Sequence, residues 1–118
     1  MFRSLTLLIV VLALSDGSAF AQEDTKSANY VMTGCHNLAA DQNTEPFLQG
    51  ICAGLISGVT YQSKDNCLPT GVTRGQIVRV VVQYIDVRPA RMHEDFRKLA
   101  LEALRAAWPC EKLASPSK

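Results

Sequence analysis

The chain has little of what chemistry needs. It has only two histidines, His36 and His93, in 118 residues. His36 follows Cys35 directly, and on a helix that turns the two side chains about 100° apart, which argues against a thiol–imidazole pair. No G-x-S-x-G, H-E-x-x-H or glycine-rich phosphate loop occurs. The acidic residues are scattered along polar faces. No C-x-x-C or H-x-x-x-H offers zinc its usual ligand spacing. These absences predict a protein that is not an enzyme and holds no metal or cofactor. Charge of one sign is also lacking: the formal net charge is +1. That leaves neither the basic footprint of a nucleic-acid binder nor an acidic tail.

A long hydrophobic run is missing as well. The apolar stretch Leu5–Leu14 is too short to cross a bilayer. It follows Arg3 and precedes Ala19-Phe20-Ala21, the three parts of a cleavable signal peptide. Residues 1–21 are therefore expected to be removed, leaving 22–118 as one helical domain in the periplasm, without a membrane anchor. A chain of that length makes a single small core, which covalent staples would help.

Against these gaps stand four cysteines, Cys35, Cys52, Cys67 and Cys110. In an exported protein an even number reads as disulfides, here two, and four cysteines allow three pairings.

Four helices are predicted. The first runs from about Ala28 to Ala39, weakened by about 1 kcal/mol at Gly34. The second is capped by Thr44, with Glu45 and Pro46 in its first turn. Its apolar stripe is Phe47, Leu48, Ile51, Cys52, Leu55, Ile56 and Val59. Gly50, Gly54 and Gly58 recur every four residues beside that stripe. They predict close approach of another helix of the same chain, with an intermolecular contact as the alternative. In the third helix Thr73 and Gln76 form a capping box. The run of Ile77, Val78, Val80, Val81 and Val82 has strand-like composition. Gln76, Arg79, Gln83 and Asp86, however, recur at steps of three and four, which makes one wet stripe on a helix. Pro89 ends it. The fourth helix carries Phe96, Leu99, Ala100, Ala103, Leu104, Ala107 and Trp108 on one face and stops at Pro109.

The fold class is thus all-α: a compact, disulfide-stapled bundle of about four helices. Cys67 lies just before the third helix and Cys110 just after the fourth. If those helices are antiparallel, both cysteines share one end of the bundle. This favours Cys67–Cys110 and leaves Cys35–Cys52 across the first pair. Such loops stabilise by about 4 and about 3 kcal/mol on the chain-entropy view.

Several pieces, taken in order, resemble the Rap/Tai immunity proteins of type VI secretion. They are Cys35; Cys52-x-Gly54-Leu55-Ile56-x-Gly58-Val59; Cys67-Leu68-Pro69 with Gly71-Val72-Thr73-x-Gly75-Gln76; and Ala103-Leu104 with Trp108-Pro109-Cys110. The resemblance covers nearly all of 22–118. It departs at Arg88, where many relatives carry histidine, and at Trp108, where phenylalanine is commoner. It implies a periplasmic protein that binds and neutralises a peptidoglycan amidase effector, often as a homodimer. Fold membership alone does not carry a role over. A periplasmic stress chaperone and an orphan helical binding module without a toxin stand as alternatives.

With no reactive centre, function falls to the surface. Arg88, Arg91 and His93 gather on the short link between the third and fourth helices. They are the candidate partner-binding residues, because a link held by a capped helix, a proline and a disulfide binds with little ordering cost. The competing reading makes Arg88 and Arg91 counter-charges for the end of the third helix.

Overall fold

The computed structural model describes residues 24–62 and 67–110. The expected signal peptide at 1–21, most of the 62–66 connector and the tail from 111 lie outside these residues. Among the described residues are four α-helices: α1 Ala28–Ala39, α2 Pro46–Gln62, α3 Arg74–Asp86 and α4 Phe96–Ala107. A 3-10 turn covers Pro89–Arg91.

Each helix begins where its local chemistry satisfies the free amides of the first turn. Ser27 caps α1, its hydroxyl accepting from the Tyr30 amide at 3.3 Å. The capping box of α3 is complete: the Gln76 amide donates to Thr73 at 3.1 Å and the Thr73 amide to Gln76 at 3.3 Å. Asp95 caps α4 by accepting from the Arg97 amide at 2.9 Å. The start of α2 differs from expectation. Pro46 is its first residue, and the residue before it is Glu45, not Thr44, as the Gln49 amide donates to the Glu45 carbonyl at 3.1 Å. Glu45 turns the chain with a φ of 51°. Thr44 contributes its carbonyl, which accepts from the Gln49 side chain at 2.7 Å.

The helices pack as two pairs, α1 with α2 and α3 with α4, and α1 also packs on α3. The core is continuous across them. It holds Val31, Met32 and Cys35 of α1, Cys52 and Ile56 of α2, Ile77, Val78, Val81 and Ile85 of α3, and Phe96, Leu99 and Leu104 of α4. Burying side chains of this size stabilises by roughly 1.5–3 kcal/mol each. On α3 the polar stripe lies outside as its spacing required, with Gln76, Arg79, Gln83 and Asp86 all exposed.

The start of α1 and the start of α4 lie side by side. The Phe96 amide donates to the Lys26 carbonyl at 2.8 Å and the Ala28 amide to the Glu94 carbonyl at 3.0 Å. Both disulfides form as the helix order suggested. Cys35–Cys52 joins α1 to α2 with Cα atoms 5.3 Å apart, and Cys67–Cys110 closes the α3–α4 pair with Cα atoms 5.0 Å apart.

The glycines exchange the roles the sequence suggested. Gly34, expected only to weaken α1, is buried. A methyl group built on it would lie inside the Leu48 carbonyl of α2. Gly34 is therefore the contact point at which α1 meets the backbone of α2. Gly50, Gly54 and Gly58 were expected against another helix of the chain. Instead, beyond the nearby backbone of α2 itself, no described atom lies within 4 Å of where their Cβ would stand. Their spacing follows α2 around to its outer face, opposite Cys52 and Ile56. Packing inside the chain needed a small residue on α1, and spacing along α2 alone could not reveal that.

Candidate protein-binding surface

The link from Val87 to Asp95 joins the end of α3 to the start of α4 and lies against the start of α1. Its backbone is hydrogen-bonded nearly throughout. The Arg88 amide donates to Ile85, Arg91 to Arg88, Met92 to Pro89 and Glu94 to Arg91, at 2.9 to 3.3 Å. The Asn29 amide of α1 donates to the Met92 carbonyl at 2.8 Å. A segment fixed this way has little conformational freedom left to lose on binding.

The side chains brace it further. Arg91 reaches both Glu94, from Nε at 2.6 Å, and Glu102 on α4, from Nη1 at 2.7 Å and Nη2 at 2.9 Å. The Tyr84 hydroxyl donates to Glu102 at 3.0 Å, and Lys98 donates to Glu94 at 2.9 Å. Hydrogen bonds from Arg91, then Lys98, pull the Glu94 carboxyl from 4.5 down to about 2. Arg91 likewise holds Glu102 below the usual carboxylate range. The guanidinium of Arg91 is raised in turn, mainly by Glu94 and then Glu102. This two-carboxylate clamp ties α3, the link and α4 together.

Arg88 behaves differently. Its Nη1 donates to the Tyr84 carbonyl in the last turn of α3 at 2.7 Å, and its guanidinium stacks 3.6 Å over the Tyr84 ring. A cation at that position complements the helix dipole and gains a cation–π contact. His93 is exposed, with Pro89 and Ala90 exposed beside it. The predicted trio thus comes together on one link: Arg88 at its start, Arg91 as internal brace and His93 outward. Val87 went unpredicted. It is an apolar side chain 68% exposed at the root of the link, and its only sequence signal was its place just before Arg88 and Pro89.

His36, in the last turn of α1, sits against the end of α3 beside the root of the link. Its Nε2 is 2.8 Å from Asp86 Oδ1, in a pair with both side chains about half exposed. Among the described residues no group of His, Cys, Asp or Glu is arranged to hold a metal ion, and no helix is long and apolar enough to cross a membrane.

Two disulfides, four helices and a braced link define a small all-α module with its distinctive features on the outside. The model of the Rap1a immunity proteins matches residues 27–110, spanning all four helices and both disulfides. The chain belongs to that family of immunity proteins, whose members bind toxin proteins and are generally not enzymes. No curated protein and no solved structure matches it.

Proposed function

We propose that the chain is exported to the periplasm after removal of residues 1–21. There it binds and neutralises a peptidoglycan amidase delivered by a type VI secretion system, with the Arg88–His93 link as the contact. The family supports the immunity role. The observation carrying the rest is the brace on the link: a short, hydrogen-bonded segment with exposed basic and apolar side chains, held by Arg91 between Glu94 and Glu102. A segment held this way suits contact with a partner, because the ordering cost is met during folding. Arg88, Val87 and His93 offer contacts, and Arg91 fixes the shape from which they are offered. Self-association into a homodimer belongs to the same reading.

The test is inhibition of peptidoglycan hydrolysis by a candidate amidase. Arg88→Glu with His93→Glu leaves the Arg91 clamp intact and is expected to abolish inhibition. Arg91→Glu reverses a clamp charge and is expected to weaken inhibition while loosening the link. Full inhibition by the Arg88/His93 variant removes the link from the contact. Capture of many weak clients in place of one stoichiometric amidase would favour a chaperone instead.

A further inference from the structure

We propose that the cleft between the end of α2 and the start of α3 docks an acidic segment of a partner polypeptide. One large apolar side chain of that segment enters the cleft, and carboxylates beside it pair with Arg74 and Arg79. The site lies at the opposite end of α3 from the Arg88–His93 link, a helix length of about 20 Å away. It stands whether or not the link meets an amidase.

The cleft has a volume of about 210 Å³ and is lined by Ile56, Ser57, Thr60, Tyr61, Arg74 and Ile77. Ile56 and Ile77 belong to the buried core, so the cleft reaches down to apolar side chains. The Thr60 hydroxyl donates to the Ile56 carbonyl at 2.7 Å and needs nothing from an occupant. Tyr61 is 93% exposed, an aromatic ring with nearly all its surface left to cover. Size selects what enters. Small-molecule sites enclose about 300–1,000 Å³, whereas a cavity of roughly 150 Å³ takes one benzene ring. This cleft therefore suits one side chain of the size of phenylalanine or leucine, delivered by a polypeptide.

Charge selects the neighbours of that side chain. Arg74 is the first residue of α3, and no acidic residue stands in the first turn. Arg79 folds back toward the same end, with Nη1 3.7 Å from where a Cβ on Gly75 would stand. Both arginines are exposed, and neither forms an ion pair among the described residues. Two cations at the positive end of a helix dipole add to its field rather than offset it. A partner that brings carboxylates is drawn to this end, and a cationic one is turned away. The neighbouring α2 carries no charge from Pro46 to Gln62, so nothing on that helix competes for the pairing.

The experiment is an NMR titration of the exported chain, both disulfides intact, with short peptides capped at both ends. The first places phenylalanine between two glutamates. The second replaces both glutamates by glutamine, and the third replaces the phenylalanine by alanine. The first is expected to shift amides of 56–61 and 74–79, with a Kd on the order of 0.1–1 mM, as suits one side chain and exposed charges. Each of the other two should bind at least about tenfold more weakly, and added salt should weaken the first. Arg74→Glu and Ser57→Leu, the second chosen to fill the cleft, should each weaken it at least about tenfold. Both positions are exposed, and the melting temperature should hold. Arg88→Glu with His93→Glu should leave this binding unchanged. Equal binding of the glutamine peptide overturns the proposal, as does binding indifferent to Arg74→Glu and Ser57→Leu. Shifts confined to the Arg88–His93 link overturn it too. Binding that appears only after removal of 111–118 would assign the cleft to the chain's own tail and overturn it as well.

Discussion

Between α1 and α2 the joint is dry and tight. Gly34 admits the Leu48 carbonyl, the bridging Cys35 and Cys52 are fully buried, and no described ion pair joins the two helices. Between α3 and α4 the joint is wetter. An arginine between two carboxylates ties one end, and a disulfide with an exposed Cys67 closes the other. The first joint depends on shape and should resist pH and reductant. The second depends on charge and an accessible bridge, so it should yield to both. The proposed toxin contact grows from the second joint and can therefore be perturbed while the first is left intact.

The sharpest way to break the first joint is Gly34→Ala. The added methyl has only backbone to displace, so α2 must move. We expect a loss of about 4 kcal/mol or more, at the extreme of single substitutions, read as a collapse of the melting temperature. The same exchange at an outward glycine should do the reverse, which makes the pair of measurements decisive.

Next comes the bridge of the second joint. Replacing Cys67 and Cys110 by alanine opens a loop with sequence separation 43, worth up to about 4 kcal/mol on the chain-entropy model. Under mild reductant this bridge should open before the buried Cys35–Cys52, because a thiolate must reach the sulfur to attack it. Mass spectrometry of alkylated cysteines reports the order.

Acid should separate the joints without mutation. The Glu94 carboxyl is pulled from 4.5 to about 2, first by Arg91 and then by Lys98, and Glu102 and Asp95 are lowered too. A carboxylate lowered on folding stabilises fully above its unfolded value and loses that contribution as pH falls through its folded value. Stability tied to the clamp should therefore decline from about pH 4.5 toward about pH 2. Amide exchange should rise first along the link and the start of α4, with α1 and α2 still protected. Equal exchange in both pairs would show that the clamp contributes little.

The smallest effect is a gain. Gly50→Ala should raise stability by up to about 1 kcal/mol. Alanine is the better helix former, and the site is open. No gain there would mean that the face is covered in the monomer.

Much of this was legible in residue order. The capping box at Thr73 and Gln76, the stripe from Phe96 to Leu104 and the wet line from Gln76 to Asp86 depend on neighbours within one or two helical turns. Reading along the chain therefore finds them. The disulfide pairing followed from which helix ends coincide in an antiparallel pair. The start of α2 was misplaced by one residue, because Glu45 adopts a φ of 51° and residue type does not announce such a turn. At the candidate contact, Arg88, Arg91 and His93 could be picked out by clustering. Arg91 and Glu94, three residues apart, could have suggested part of the clamp. Glu102 could not, since only folding brings α4 beneath the link.

Residue order alone specifies four helices, the capping box of the third and two cross-links, because propensity, periodicity and capping act over a few residues. Which glycine lets helices touch, which arginine becomes a brace and which faces stay bare are decided by packing. Those outcomes depend on what another segment places within a few ångströms, and that is settled when the helices pack.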